Sequence, residues 1–171
     1  MTPTGFIIMG VAGSGKTTVG KALAEKLGWD FFDADNFHPP ENIAKMAAGI
    51  PLNDSDRIPW MATLSDLLFA TLKAGRHPVL ACSALKESYR AQLLEGKVGI
   101  EVIYLKGNYD LLWSRLAARQ GHFMKPEMLK SQFVTLEEPK DALTLDVSMP
   151  LEEMVAVVLE KRFGVANDFR D

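Results

Sequence analysis

Eight residues near the start of the sequence have the types and spacing of a loop that binds phosphate groups. Residues 10–17 fit the pattern G-x-x-x-x-G-K-[ST]. Glycines allow successive backbone N–H groups to converge on one anion, and the positive end of a following helix adds to the attraction. In this pattern the lysine reaches the β- and γ-phosphates, and the threonine hydroxyl binds Mg²⁺. We therefore predict an ATP site formed by Gly10, Val11, Ala12, Gly13, Ser14, Gly15, Lys16 and Thr17.

Three side chains downstream could act on an acceptor. Asp33 and Asp35 follow an apolar run, and alternation in an extended segment would put both on one side. A carboxylate beside a phosphate-binding loop can hold a Mg²⁺-bound water or accept a proton from a substrate hydroxyl. We favour Asp35 for both roles, whereas Asp33 fits simple turn chemistry equally well. His38, before Pro39 and Pro40, is either a ligand-binding side chain or an exposed loop histidine.

Several cations could bind an anionic substrate or neutralise a transferring phosphoryl group. Arg57 is not explained by helix capping, and Lys86 and Arg90 lie four apart, so they share a helix face. Arg115 and Arg119 have the same spacing. Arginines on a closing segment can stabilise the negative charge that develops during phosphoryl transfer. The alternative in each case is a solvated basic helix face.

The elements that position these residues alternate between strands and helices. Apolar runs at residues 6–9, 29–32, 78–82, 100–105 and 143–147 are separated by helical patterns. This alternation predicts a three-layer α/β fold with a five-stranded parallel sheet, in which ligands gather at the carboxyl ends of the strands. The phosphate-binding loop lies between the first strand and the first helix, which argues against an ordinary glycine-rich turn. Trp60 and the methionines Met46, Met61 and Met128 are expected to pack in the core.

Composition limits the remaining possibilities. The 171 residues, 47% hydrophobic and 24% charged, suit a single domain covering 1–171. The net charge of −3 does not favour nucleic acid, and no apolar run approaches the length of a membrane span. Cys82 is the single cysteine, which suits a reducing compartment, so we expect a cytoplasmic protein. The polar tail, 165–171, is expected to fray.

Beyond the phosphate-binding loop, the most specific pattern spans residues 38–60, which fit HPxxNxxKMxxGxPLxDxDRxPW. Residues 82–90, 104–107 and 115–123 add to it. With these segments the chain resembles the gluconate kinases, a group of small P-loop kinases related to shikimate and adenylate kinases. The resemblance covers residues 5 to 163. It implies a P-loop fold of the nucleoside-monophosphate-kinase type with a short lid, which we expect at 119–127.

The resemblance also implies the reaction. Gluconate kinases transfer a phosphoryl group from ATP, with Mg²⁺, to the 6-hydroxyl of D-gluconate, and the product feeds the pentose phosphate or Entner–Doudoroff route. Members are commonly homodimers. On this basis Lys16, Asp35, Arg115 and Arg119 are the expected catalytic residues, and Pro150 is expected beside the adenine. Gluconate, with one carboxylate and several hydroxyls, would be bound by Asp35, His38, Lys45, Arg57, Ser83, Lys86, Arg90 and His122.

Two other functions stay open at this point. A related kinase could act on shikimate or a nucleotide, although the 38–60 segment argues against it. A non-catalytic module could bind ATP without transferring phosphate, although Asp35, Arg115 and Arg119 would then have no purpose. Acceptor-dependent release of ADP distinguishes all three.

Overall fold

The chain forms one parallel β-sheet between two layers of helices. The computed structural model describes residues 1–119 and 126–165. Five strands pair in the order β2-β3-β1-β4-β5, and every neighbouring pair is parallel. The strands are β1 Gly5–Met9, β2 Asp30–Asp33, β3 Pro78–Ala81, β4 Ile100–Lys106 and β5 Leu143–Asp146. This sheet confirms the predicted fold class.

Helices connect the strands and cover both faces of the sheet. Within the described residues they are α1 Lys16–Leu27, α2 Pro40–Ala47, α3 Asp54–Lys73, α4 Glu87–Leu94, α5 Tyr109–Ala117, α6 Pro126–Thr135 and α7 Leu151–Phe163. None of these helices is both long and apolar enough to cross a membrane.

The central strand β1 explains how the core is divided. All five of its residues are buried, as expected for a parallel strand covered on both faces. Phe6 and Ile8 pack into the cluster that contains Leu23 of α1. Ile7 and Met9 pack into the opposite cluster, with α3. This rigid sandwich fixes the end of β1, and with it the loop that follows.

The segment after β2 differs from the sequence-based expectation. The Asp35 backbone N–H donates to Asp33 Oδ1 at 3.0 Å, and a short 3₁₀-helix, Ala34–Phe37, begins there. Asp33 and Asp35 are therefore not alternate residues of one extended strand, and the reasoning from strand alternation was wrong. Both nevertheless lie at the carboxyl edge of the sheet, because the helical turn carries Asp35 back toward it.

Helix α3 begins with reciprocal capping. Asn53 Oδ1 accepts from the Asp56 N–H at 2.8 Å, and Asp56 Oδ2 accepts from the Asn53 N–H at 3.0 Å. Such a capping box satisfies two backbone donors that the first turn would otherwise leave unpaired. The cap fixes where the first turn of α3 starts, and so fixes Arg57 in that turn.

Candidate active site

A cavity of about 780 Å³ opens at the carboxyl edge of the sheet. Its wall comes from the phosphate-binding loop, the 3₁₀ turn after β2, the α2–α3 connection, the end of β3 and α6. Parallel α/β sheets collect ligands at this edge. Of the residues singled out from the sequence, the wall contains Ala12, Gly13, Gly15, Lys16, Thr17, Asp33, Asp35, His38, Arg57, Ser83 and Arg119.

The phosphate-binding loop needs its glycines for two reasons. Gly13 and Gly15 have φ values of 79° and 91°, in the region that side chains disfavour. At Gly10, an added Cβ would lie 2.5 Å from Ser14 Oγ, which is too close for any real contact. Gly15 precedes α1 and offers no side-chain cap, so the first N–H groups of the helix stay available to an anion.

Lys16 places a positive charge at the cavity that the surrounding residues do not fully neutralise. Burial lowers the pKa of its ammonium group, and the nearby Asp35 carboxylate opposes that shift. Its Nζ donates to the Val11 carbonyl oxygen at 3.1 Å. A phosphate group would supply the negative charge that this cation lacks, so the electrostatics favour an anionic ligand here.

Thr17 and Asp33 form an oxygen-rich pair beside Lys16. The Thr17 hydroxyl donates to Asp33 Oδ2 at 3.0 Å. Hydroxyl and carboxylate oxygens suit Mg²⁺, which keeps several waters and takes only one or two protein ligands beside substrate phosphates. The donor set therefore fits Mg²⁺ bound together with a nucleotide.

Neighbouring side chains fix the His38 ring and occupy one of its two nitrogens. Its ring stacks on Trp60 at 4.0 Å between centroids, and the Trp60 indole N–H donates to the Ala34 carbonyl. Asn42 Nδ2 lies 2.9 Å from the Asp56 carbonyl oxygen, which can only accept, so this atom is the amide nitrogen. The same nitrogen lies 3.3 Å from His38 Nδ1. Nδ1 is therefore an acceptor, and Nε2 carries the ring hydrogen.

The free nitrogen of His38 faces Asp35. Nε2 lies 3.9 Å from Asp35 Oδ1, too long for a direct hydrogen bond and short enough for one oxygen atom to reach both. The His38 side chain is only 4% exposed, whereas that of Asp35 is 85% exposed. A fixed donor thus lies beside an open acceptor, an arrangement suited to a hydroxyl group.

Arg57 reaches the cavity from the first turn of α3. Its guanidinium lies over the Tyr89 ring, 5.8 Å from the centroid, and Nη1 lies 3.5 Å from the Tyr89 hydroxyl. The Tyr89 hydroxyl donates to Asp54, and so does Lys86 at 3.1 Å. Among the described residues, the neighbouring Asp54 and Asp56 form salt bridges with Lys86 and Lys45 rather than with Arg57. The Arg57 cation therefore remains available to an anion in the cavity.

Other residues singled out from the sequence lie off the wall. Lys45 donates to both carboxylate oxygens of Asp56 at 2.8 Å, and Lys86 pairs with Asp54. Arg115 Nη2 donates to the Val147 carbonyl at 2.6 Å, and Pro150 precedes α7. Gly10, Val11 and Ser14 lie behind the loop surface and are buried. His122, most of the expected lid 119–127 and most of the tail 165–171 lie outside the described residues.

Arg90 has a position that does not suit substrate binding. Its guanidinium donates to the carbonyl oxygens of Ala84, Leu85 and Glu137 at 2.8, 3.1 and 2.9 Å, and the residue is 7% exposed. Arg90 is also not among the residues of the cavity wall, so its guanidinium is committed to these carbonyl groups rather than to a ligand in the cavity. Ala84 has a φ of 42°, an unusual value for a side chain, so Arg90 holds a strained turn after β3.

Replacing Arg90 with methionine is expected to destabilise the protein by about 2–4 kcal/mol, because three buried carbonyl groups lose a charged donor. The KM for acceptor of the folded variant should stay near the wild-type value. Urea denaturation and steady-state kinetics measure the two quantities. A large rise in KM with unchanged stability would instead place Arg90 at the substrate.

Sequence reasoning missed two parts of the wall. One is the α2–α3 connection, residues 49–52, together with Met46, which is 40% exposed rather than packed in the core. The other is α6, which contributes Glu127, Met128, Ser131 and Gln132. Placing Met46 and Met128 in the core was wrong, whereas Met61 is buried. Their helical spacing led us to place these methionines in the core, but spacing does not reveal which face of a helix lines a cavity.

Cys82 also lines the cavity, at the end of β3. Burial raises the pKa of its thiol to about 12, so the side chain is neutral and unreactive at ordinary pH.

One cavity contains a glycine-rich loop after the first strand, a half-buried lysine, a Thr–Asp pair and an acceptor pocket. They define a small P-loop kinase. In keeping with this class, the sequence profile of the shikimate kinase family matches residues 12–144.

Relatives with higher sequence identity indicate the family within this class. A probable gluconokinase from Mus musculus is 45% identical over 92% of this chain and 97% of its own length. The thermoresistant gluconokinase of Escherichia coli (strain K12) is 47% identical over 91% of both chains. The crystal structure of a gluconokinase from Sinorhizobium meliloti 1021 has a TM-score of 0.80 at 45% identity, over 90% of this chain and 88% of that one. The chain belongs to the gluconokinase family.

Proposed function

We propose that the protein transfers the γ-phosphoryl group of ATP to the 6-hydroxyl of D-gluconate, giving 6-phospho-D-gluconate and ADP. The observation that carries this proposal is one cavity whose wall contains both the phosphate-binding loop and the side chains of His38, Asp35 and Arg57. The gluconokinases at 45–47% identity support the choice of acceptor.

The donor side consists of the loop N–H groups, Lys16 and Arg119. The loop N–H groups and the start of α1 hold the β- and γ-phosphates, and Lys16 leaves the Val11 carbonyl to bind them. Arg119, on the cavity wall, adds a second positive charge. These cations stabilise the charge that builds on the equatorial phosphoryl oxygens during transfer.

The acceptor side orients the hydroxyl and takes its proton. The His38 Nε2–H donates to the hydroxyl oxygen, and Asp35 accepts the hydroxyl hydrogen. The oxygen then attacks the γ-phosphorus, the bond to the β–γ bridging oxygen breaks, and ADP leaves. The proton ends on Asp35. Arg57 binds the gluconate carboxylate, and Ser83 contributes a hydroxyl to the acceptor pocket.

Mg²⁺ belongs to this proposal as the partner of ATP. Thr17 would bind the ion directly through its hydroxyl oxygen. Asp33 would act indirectly, by accepting the hydrogen bond of the Thr17 hydroxyl or by binding a water on the ion. When bound, the ion neutralises part of the phosphate charge. From sequence we favoured Asp35 as the metal-binding carboxylate. Among the hydrogen bonds of the described residues, however, Thr17 pairs with Asp33 and not with Asp35, so we assign the metal side to Asp33 and the acceptor side to Asp35.

The remaining proposals concern context. The reducing interior of the cell suits a chain with one buried free cysteine, and we propose the cytoplasm as its compartment. On the basis of the resemblance to gluconokinases, we also propose a homodimer and a place before the pentose phosphate or Entner–Doudoroff route.

The acceptor is tested by ADP release with a panel of small hydroxylated acids. Purified protein with Mg²⁺ and ATP should release ADP in the presence of D-gluconate. Shikimate, nucleoside monophosphates and a buffer blank should give little release. Equal release with every addition would contradict the proposal, and ATP binding without any release would indicate a non-catalytic module.

Arg57→Ala is expected to raise the KM for gluconate by about 10- to 100-fold, because the variant lacks one charge-assisted contact to the carboxylate. The KM for ATP should change by less than about 3-fold, since Arg57 lies on the acceptor side. Lys73→Ala, which removes an exposed cation from the far end of the same helix, is the matched control. An effect confined to ATP would show that the two ends of the cavity are assigned the wrong way round.

A further inference from the structure

Gln132 links α6 to the phosphate-binding loop across a long stretch of sequence. Its Oε1 accepts a hydrogen bond from the Ala12 backbone N–H at 2.7 Å. Both residues lie on the cavity wall. No motif marks this glutamine, and nothing in the kinase mechanism above uses it.

The contact with Ala12 fixes which way the amide group points. A backbone N–H can only donate, so the atom that faces it is the carbonyl oxygen of the glutamine. The Nε2 group, with two N–H donors, therefore points away from Ala12. Among the described residues Nε2 has no hydrogen-bond partner, and it is not a buried polar atom sealed from solvent. Gln132 lines the cavity, and its Nε2 group is accessible to a ligand there.

The Val11–Ala12 peptide unit places Gln132 relative to Lys16. The carbonyl oxygen of this peptide accepts from Lys16 Nζ at 3.1 Å, and its N–H donates to Gln132. Two side chains thus flank one peptide unit of the loop. The carbonyl and the N–H of this trans peptide point to opposite sides, so Lys16 and Gln132 approach the loop from either side, and both line the cavity. Gln132 therefore lies beside the loop that is assigned to the phosphates.

We propose that Gln132 is a further catalytic residue, whose Nε2–H donates to the terminal phosphoryl group of ATP while Oε1 remains on the Ala12 N–H. This inference rests on the proposed kinase function. A donor already fixed by a backbone hydrogen bond needs little reorganisation as charge develops on the phosphoryl oxygens. Because the amide is neutral, it adds a hydrogen bond without adding a further cation to a site that already contains Lys16 and Arg119.

A purely structural role predicts something different. If Gln132 only braces the loop, its removal disturbs the binding of every nucleotide that the loop holds, ADP included. If its Nε2 touches the terminal phosphoryl group, its removal weakens only ligands that carry that group. The affinity ratio between the two kinds of ligand therefore distinguishes the roles.

The test compares Gln132→Met with wild type, using calorimetry for Mg²⁺–ADP and for Mg²⁺–ADP with beryllium fluoride, which imitates the terminal phosphoryl group. Lys130→Met, on the exposed face of the same helix, is the matched control. We expect Gln132→Met to bind the beryllium fluoride complex about 10- to 100-fold more weakly, with ADP affinity changed less than about 3-fold. In the gluconate assay kcat should fall about 10²-fold.

Two results would overturn the inference. Equal losses for ADP and for its beryllium fluoride complex would make Gln132 a structural brace, and unchanged affinity for both would leave it without a role. Both ligands are measured on the same folded variant without gluconate. Failure of wild type to phosphorylate gluconate would therefore contradict the proposed function without affecting this comparison.

Discussion

Lys16→Ala should lower kcat by at least about 10²- to 10³-fold, because the variant lacks the cation that meets the transferring phosphoryl group. The loop N–H groups remain, so residual nucleotide binding is expected. The fold should survive. Burial lowers the pKa of Lys16, which means that the folded protein accommodates this charge at a cost, and removing it should leave the melting temperature unchanged or raised.

Steady-state kinetics and thermal melting measure both parts of this prediction. Lys21→Ala, on the exposed side of the same helix, serves as the control for loss of a lysine from α1. A Lys16 variant with near-wild-type kcat would contradict the assignment of the loop. A variant that had lost activity only because it had unfolded would contradict the expectation that removing the Lys16 charge leaves the fold intact.

Asp35→Asn should lower kcat by about 10²- to 10⁴-fold, because an amide cannot take the proton of the attacking hydroxyl. The KM for gluconate should change little, since the asparagine oxygen still accepts a hydrogen bond and His38 still donates one. The side chain is largely exposed, so stability should be unaffected.

Asp33→Asn is the matched comparison, because it makes the same chemical change two residues earlier in the chain. Asp33 pairs with Thr17, so its replacement should raise the Mg²⁺ concentration needed for half-maximal rate rather than abolish transfer at saturating metal. Kinetics at varied Mg²⁺ for both variants measure the difference. If Asp33→Asn abolished transfer while Asp35→Asn only shifted the Mg²⁺ requirement, the two roles would have to be exchanged.

The sequence predicts the fold and the donor side well, for a physical reason. Strand–helix alternation and the glycine pattern are local signals, and Gly10, Gly13 and Gly15 occupy backbone positions that other residues fit poorly. The five predicted strands match the observed ones to within one residue at each end. Because parallel strands end at one edge of a sheet, strand order along the chain is enough to predict that the residues following the strands lie close together.

The acceptor side is less predictable, because residue type does not reveal how a cation is already used. Lys45, Lys86 and Arg90 look like Arg57 in the sequence. In the structure, Asp56 and Asp54 hold the two lysines, and three carbonyl groups hold Arg90. Arg57 lines the cavity and forms no salt bridge with either aspartate among the described residues.

Long-range contacts explain the remaining omissions. Gln132 meets Ala12 across 120 positions, and the Asn42 amide is oriented by the Asp56 carbonyl on another helix. Neither pairing leaves a local pattern in the sequence. The geometry of His38, with its acceptor nitrogen fixed by Asn42 and its ring on Trp60, likewise becomes visible only when α2 and α3 are packed together.

The position of the transferred phosphate tests the central claim most directly. Wild-type protein is incubated with Mg²⁺, ATP and uniformly ¹³C-labelled D-gluconate, and the product is analysed by ³¹P and ¹³C NMR. We predict one phosphorylated product, with phosphorus coupled to C6 and its neighbour C5, formed in equal amount to ADP. Phosphate on another carbon, or ADP formed with inorganic phosphate alone, would contradict the account.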